Sequence, residues 1–545
     1  MNLMIKYIKK YFRKYALMVV LYSCLMLISW GISVFLPSIV GGFIDVLVYS
    51  DSVQAIRQRI IMFMGVSVVS IINAYFVNMF SVKLQTKMGV SMSFDITEHL
   101  KKIPFLKIIK YDAILLNQKI NTDTNILVNF FLNNYLNFFL KMITLLCSFG
   151  ILYFIDRTIA LILICFIPIY IVLFYSLKNK LYTYNLEMKN SQNIFFAKLT
   201  GQLINVKKIK IDASFEENKK RVLDVFDTMF RDVVSLSRIS YLVSGLDSVL
   251  ATIANALIFL FGGLKVLKGE LSIGEFTIIT TYFKMMLSVI SYYLNIGKSF
   301  QDSKSSFERI QELLNISEEL NGEVFLENID KIELKDITFK YGDNPILSNF
   351  NYSLKKGKIY YIKGHNGTGK STLLNIIIGL IKEFESGSVY YNNIDMKELD
   401  IYKIRRELFS VVPQEYILED AELEEILNNI TEARELKSNL QYKGVMDDVH
   451  KLIKKINIKV SKNEKNTYSG GENQKLSIVK AILKKSEVLI MDEPTSALDI
   501  EGTEILKEIL MKLKVDKIII LISHEESMEE ISDMILDLDK IKNNF

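Results

Sequence analysis

Ile359-Tyr360-Tyr361-Ile362-Lys363-Gly364-His365-Asn366-Gly367-Thr368-Gly369-Lys370-Ser371-Thr372 decides how the chain is read. A short β-type run, Ile359 to Ile362, leads into a glycine loop, and Leu373 to Leu380 then reads as a helix. Strand, loop and helix in this order form the Walker A pattern. The glycines let backbone N–H groups close on a polyphosphate, and the helix dipole favours the same charge. Lys370 is placed to reach the β- and γ-phosphates, and the Ser371 hydroxyl to meet Mg²⁺. Residues 331–545 around this stretch alternate strand-like and helix-like segments, the pattern of an α/β domain.

Downstream, Val488-Leu489-Ile490-Met491-Asp492-Glu493 reads as a buried strand ending in two carboxylates. Asp492 there suits a Mg²⁺ held through water, and Glu493 an attacking water that must be oriented or deprotonated. A strand ending in a solvated acidic pair is the plainer alternative, weakened by a Walker A loop that already requires a metal-binding carboxylate. Between them lies Tyr468-Ser469-Gly470-Gly471-Glu472-Asn473-Gln474-Lys475. Ser-Gly-Gly alone is only a turn, but before a helix starting near Glu472 it is a second anion-binding N-terminus. One nucleotide does not need two phosphate cradles within one chain.

Outward from this domain, composition changes. The 545 residues are half hydrophobic, with mean hydropathy +0.23 and net charge +5, too balanced for a nucleic-acid-coating protein. Four His and three Cys exclude a zinc array or a disulfide framework, and Cys24, Cys147 and Cys165 all lie in apolar runs. Few Pro and Gly argue against disorder and collagen-like repeats. The apolar excess sits in the first three hundred residues. Residues 16–36, 60–82 and 158–177 carry no charge. Residues 127–155, 239–264 and 276–297 are each interrupted by one ion: Lys141, Asp247 and Lys284. Each run is long enough to cross a hydrocarbon core of ~30 Å, which predicts six spans within residues 16–300.

Lys and Arg crowd the segment before the first span and the connections 83–124 and 178–238, while the other three connections are short. Both termini are therefore expected in the cytoplasm, in a multi-pass protein of the cell membrane. The first run is too long for a signal peptide and lacks a small-residue cleavage site. Residues 3–14, with Leu3, Ile5, Ile8, Tyr11 and Phe12 at helical spacing beside basic residues, predict a helix lying in the cytoplasmic interface. The two long connections have helical periodicity and almost no Pro or Gly, so the membrane helices are expected to extend far into the cytoplasm. The expected domains are 1–315 in the membrane, a linker at 316–330, and 331–545 as the α/β unit.

At this point the chain resembles the ATP-binding cassette family. Ser469-Gly470-Gly471 looks like its LSGGQ signature, with Tyr468 for Leu and Glu472 for Gln. Pro494 to Asp499 is similar to its D-loop, Gln414 to its Q-loop glutamine, and His524 to its switch histidine. Tyr341, 29 residues before Lys370, resembles the aromatic that stacks on adenine. Gly262-Gly263, Gly269 to Glu275, and Ser306 to Leu314 resemble the last-span turn and the linker of the exporters. Six spans followed by one ATPase match the half-transporter layout of that class.

The resemblance implies a polytopic all-α membrane domain followed by a P-loop ATPase. The nucleotide site would comprise Tyr341, Gly364, His365, Asn366, Gly367, Thr368, Gly369, Lys370, Ser371 and Thr372, with Ser469, Gly470, Gly471 and Glu472 from a second chain. Ser371, Gln414 and Asp492 would hold Mg²⁺, and Glu493, His524, Lys370 and Gln414 would serve catalysis. Two ATPase domains would close head to tail, resolving the surplus anion site. A homodimer is favoured, with a heterodimer as the alternative, and turns near 105–115 and 207–216 would press on the ATPase. Two departures stand out: the charge of Glu472, and the segment 461–467, which lacks the usual Gly-Glu pattern.

The function expected is ATP-driven export of a small peptide or an amphiphilic, drug-like compound by alternating access. A lipid flippase is the alternative, a non-transporting sensor a lesser one, and nucleic acid is not an expected partner. No Cys–His pair precedes the first span, so leader-cleaving export is not expected; high Lys, Ile and Asn usage suits a low-GC bacterium. Lys141, Asp247 and Lys284, with Asn134 and Asn255, are candidate linings of a substrate cavity, because a charge within a span costs at least ~2.5–3.5 kcal/mol unless it meets water, protein or cargo. An internal ion pair or a snorkelling Lys is the competing reading.

Overall fold

Helix α1 (Asn2–Lys14) opens the chain, and α2 (Ala16–Tyr49) follows after Tyr15. The computed structural model describes residues 2–50, 52–414, 448–449, 451–452, 470–496, 498–523 and 525–542. They form two compact units: residues 1–98 with 113–315, and residues 99–112 with 316–545.

The first unit is helical. It continues with α3 (Val53–Leu100), whose last two residues belong to the second unit, as does α4 (Phe105–Ile108). Then come α5 (Ala113–Asn134), α6 (Asn137–Ile155), α7 (Arg157–Ile204), α8 (Val206–Ile211), α9 (Phe215–Leu267) and α10 (Ile273–Leu314). Among the described residues, five helical stretches are long and apolar enough to cross a membrane: 16–49, 53–100, 116–155, 215–267 and 273–314. The sixth expected span, 158–177, falls within α7, where side chains including 162–167 and 173–175 lie outside the described residues. Leu17, Ile71, Phe154 and Phe259 point large apolar groups outward. Such a surface is expected where the solvent is hydrocarbon, since lipid tails carry no penalty for contact with Leu or Phe. At 53 residues α9 would run ~80 Å, far more than a bilayer needs.

Helix α10 is the hub. It packs on α2, α5 and α6, and buries Tyr282, Phe283, Met286 and Val289. The Tyr282 hydroxyl donates to the Val34 carbonyl at 2.6 Å, giving a buried polar tip a partner. At the opposite end, Arg309 donates through Nε (2.8 Å) and Nη2 to both carboxylate oxygens of Asp123 on α5. Helix α1 packs on neighbouring helices through part of its apolar side. Met4, Ile8 and Tyr11 are buried against protein, with the Tyr11 hydroxyl donating to Asp95 at 2.9 Å and Tyr7 against Phe307. Leu3 and Ile5 remain exposed.

The second unit is α/β. A four-stranded antiparallel sheet has the order β2-β1-β4-β5, built from β1 (Lys331–Tyr341), β2 (Asn344–Lys355), β4 (Ser386–Tyr391) and β5 (Ile394–Asp395). A parallel sheet has the order β6-β7-β8-β3-β9, from β3 (Lys358–Lys363), β6 (Phe409–Val412), β7 (Val488–Asp492), β8 (Ile518–Ile522) and β9 (Met534–Asp537). Alternate residues of its central strands enter two different cores: Tyr360, Ile362, Ile490 and Ile520 in one, Ile359, Tyr361, Leu489 and Leu521 in the other. Continuous apolar runs are what a parallel sheet buried on both faces requires. Helices α11 (Lys370–Ile377), α12 (Ile401–Leu408), α13 (Gly470–Leu483) and α14 (Ile500–Leu513) cover it, with short α15 (Glu526–Glu529) and α16 (Leu538–Lys542) near the end.

Residues 99–112 belong to this unit through specific contacts. Leu106 packs against the first core, and the Glu319 amide donates to the Lys102 carbonyl at 2.7 Å. The segment after α10 is strapped to the same unit: Gly322 N donates to Leu399 O and Asp400 N to Val324 O. Gly322 has no room for a side chain, because a Cβ would strike the Glu398 carbonyl.

Candidate functional site

In an open parallel sheet, ligands bind beyond the carboxyl ends of the strands. Four neighbouring strand ends of this sheet carry residues singled out from sequence. The glycine loop follows β3, Asp492 and Glu493 end β7, Gln414 follows β6, and Ser523 follows β8. His524 itself lies outside the described residues.

Gly364, Gly367 and Gly369 all have φ in the left-handed half of the map, at 155°, 85° and 103°. At Gly369 a Cβ would sit 2.5 Å from Ile346 Cγ2, so glycine is required on both counts. The loop hands directly into α11 at Lys370. Thr368 is buried and donates to the His365 carbonyl at 2.9 Å; Thr372 is buried too, whereas Asn366 and Ser371 are exposed. Lys370 Nζ curls onto its own loop, donating to Gly364 O at 2.5 Å and His365 O at 3.3 Å. A neutral carbonyl binds an ammonium less firmly than an anion does, so this lysine is available to a phosphate. A glycine loop opening into a helix, an ammonium and an exposed hydroxyl are the donor set a nucleoside triphosphate with Mg²⁺ requires.

Glu493 is the most constrained residue of the site. Its φ is +51°, a region costly for any residue with a Cβ. Both backbone groups are clamped: the amide donates to Ile522 O on β8 at 2.7 Å, and the carbonyl accepts from Gln474 Nε2 at 2.8 Å and Ser496 Oγ at 3.0 Å. Ser496 also donates to Gln474 Oε1 at 2.9 Å. The side chain is set by Gln414, whose Nε2 donates to Glu493 Oε2 at 2.9 Å. Strain held by surrounding bonds is what a site needs to keep one carboxylate in one place. Tyr341 ends β1 with 40% of its surface exposed, and its ring stands edge-on to Phe339.

Gly470, Gly471 and Glu472 form the first turn of α13, two residues earlier than the sequence placed the helix start. Tyr468 and Ser469 lie outside the described residues. Gln474 was not anticipated, nor was its role in joining α13 to the Glu493 turn. Its position on the same helix as Glu472 was the available signal. Also unforeseen is Asp539, on α16. Its carboxylate accepts from the His365 amide at 3.0 and 3.2 Å and meets His365 Nδ1 at 2.8 Å. Partial desolvation raises the Asp539 pKa, but the His365 hydrogen bonds and the charges of His365 and Lys370 outweigh it and hold the carboxyl below its ordinary range. Nothing local connects residues 174 positions apart.

The candidate cavity residues are dispersed in their commitments. Asn134 accepts from the Tyr292 hydroxyl at 2.8 Å and donates to Phe130 O, so its amide is used in helix packing. Asn255 keeps a buried Oδ1 with no partner among the described residues. Lys141 is half-buried and Lys284 exposed, while the Asp247 side chain lies outside the described residues.

Comparison with known proteins agrees with both units. The family model "ABC transporter" matches residues 347–496, and "ABC transporter transmembrane region" matches residues 19–290. The first of these families binds ATP, as its name for a nucleotide cassette implies. Among similar proteins, the microcin-J25 export ATP-binding/permease protein McjD of Escherichia coli is 27% identical over 64% of this chain and 64% of its own. The lactococcin transport/processing ATP-binding protein LcnC-like of Lactococcus lactis is 25% identical over 70% of this chain and 54% of its own. An ATP-dependent lipid A-core flippase of Pseudoalteromonas translucida is 30% identical over 53% and 51%. The match thus spans about half to two thirds of these relatives' length.

Proposed function

We propose that this chain, which belongs to the ABC transporter family, is half of an ATP-driven exporter that moves a small peptide or amphiphilic compound out across the cell membrane. The observation that carries this reading is the clamped Glu493, aimed by Gln414 on the edge that also holds the glycine loop. Mg²⁺ bound with ATP would supply charge neutralisation on the transferred phosphoryl group, with Ser371, Gln414 and Asp492 as its holders. Lys370 leaves its loop carbonyls and takes the phosphates. Glu493 accepts the proton of the attacking water, and Gln414 keeps its carboxylate in register. His524, next in sequence after Ser523, is the proposed γ-phosphate sensor.

One chain holds one glycine loop and one Ser-Gly-Gly segment, so two chains complete two sites. A homodimer is the simplest assembly, since the loop, the candidate base and the signature glycines are all on this chain; pairing with a different half is the alternative, in which Glu472 marks this chain's altered signature. Peptide cargo is supported by the peptide-export names among the relatives, and a lipid by the flippase names. Asn255, whose buried amide oxygen has no partner among the described residues, and the ions Lys141, Asp247 and Lys284 are the proposed polar points of the cargo path.

The test is reconstitution in sealed vesicles with ATP supplied to one side, a labelled amphiphilic peptide and a labelled lipid. Transport only when ATP faces the nucleotide units, abolished by Glu493→Gln while ATP still binds, supports the reading. Turnover of Glu493→Gln near the wild-type rate would remove Glu493 from the base role. Vesicles that hydrolyse ATP yet move neither cargo would point to a sensor.

A further inference from the structure

The glycine loop has a support that the catalytic reading does not use. Its first residue, Gly364, lies over Leu538: a Cβ built there would be 3.4 Å from Leu538 Cβ and 2.7 Å from Thr368 Oγ1. The next residue, His365, gives its amide and its ring Nδ1 to the same carboxylate, Asp539. Asp539 is oriented in turn, because Asp537 Oδ1 accepts from the Asp539 amide at 3.1 Å and the Lys540 amide at 3.3 Å. Strand β9 lies beside β3 in parallel register, with Asp537 opposite Lys363, so the turn after β9 meets the loop after β3. The His365 carbonyl closes the circuit, accepting from Thr368 Oγ1 and Lys370 Nζ.

We propose that Asp539 is a positioning residue of the nucleotide site, acting through His365 to hold the glycine loop in its phosphate-ready shape. The inference rests on the nucleotide reading above and adds a control point to it. A carboxylate that receives two donors from one residue fixes that residue's backbone and ring together. His365 is thereby held at both its amide and its ring. The charged groups around it are Asp539 and Asp537 from the turn after β9, Lys370 from its own loop, and Lys363 at the end of β3, which donates to Glu529 at 3.0 Å. A looser loop presents its amides less well, so nucleotide affinity falls without a change in the reacting groups.

Full-length protein in nanodiscs, titrated with Mg-ATP, tests this. Asp539→Ala should weaken binding about three- to tenfold, the size of one lost hydrogen bond to a charged group, with saturated turnover within about twofold of wild type. His365→Gln should weaken it comparably, and the double variant should be no worse than either single one. Asp539→Asn, which keeps size and an acceptor, should fall between wild type and Asp539→Ala. Unchanged affinity in Asp539→Ala and Asp539→Asn, or additive losses in the double variant, would each overturn the proposal while leaving the nucleotide reading intact. Wild-type protein that fails to bind Mg-ATP would overturn both.

Discussion

In the helical unit Arg309 spends its guanidinium on Asp123, whose side chain is only 4% exposed, while in the α/β unit Lys370, Ser371 and Gln414 keep polar atoms on an open strand edge. The same residue chemistry thus serves two ends. A charge buried among helices is satisfied completely by a neighbour, because an unpaired one costs several kcal/mol. At the strand edge, groups are held by weaker, replaceable partners: a carbonyl for Lys370, an amide for Glu493. Interchangeable partners mark a site that must exchange one set of contacts for another. Where polar groups are locked, removal should damage the fold; where they are provisional, it should damage the chemistry.

The sharpest break of this contrast is Glu493→Gln, expected to lower steady-state ATP hydrolysis by about 10²–10⁴-fold with little loss of thermal stability. Hydrolysis assays paired with a melting curve read both quantities. Next comes the buried pair. Asp123→Asn should destabilise the helical unit by about 2–3 kcal/mol, somewhat below the loss for a fully buried pair because Arg309 is 34% exposed. Chemical unfolding in detergent measures it, and the hydrolysis rate per folded molecule should hold. If that rate collapses at unchanged stability, the division between locked and provisional groups fails.

A smaller effect belongs to Lys517, buried at the start of β8 with its ammonium on the Ser486 carbonyl and hydroxyl. Burial pushes its pKa down to about 8. The unfolded chain, with an ordinary lysine near ~10.4, binds more protons between these values, so stability rises with pH from about 8 to about 10. The gain should be on the order of 1 kcal/mol and should disappear in Lys517→Met, as pH-dependent melting will show. The smallest change is Glu472→Gln, which should move turnover by less than about twofold if the residue is a surface polar group. A large gain would show that its charge restrains closure on a triphosphate, as repulsion between like charges predicts.

Local chemistry made the site legible in advance. A glycine loop must have its glycines at given intervals, and a metal-binding carboxylate must end a strand, so residues 364–372 and 492–493 announce themselves within a few positions. The α/β character of 331–545 and the membrane character of the first three hundred residues are equally local, resting on strand and span periodicity. What the intervals do not contain is partnership between distant residues. The packing of α1 on α3 through Tyr11 and on α10 through Tyr7, the Gln474 bond to Glu493, and the Asp123–Arg309 pair each join elements that only folding brings together.

The sequence by itself determined the class of each half, the phosphate loop and the candidate base, because those depend on residue type at short spacing. Tertiary structure alone decided which carboxylate orients which donor. Asp539 is unremarkable in the chain, a polar residue in a Lys- and Asn-rich tail, until β9 is laid in parallel beside β3. Only then does the turn after one strand face the loop after the other, and two residues 174 positions apart share a hydrogen bond. Hydrogen bonds act over about 3 Å, whereas sequence records only order, so contacts across a sheet edge are written in strand topology rather than in any motif.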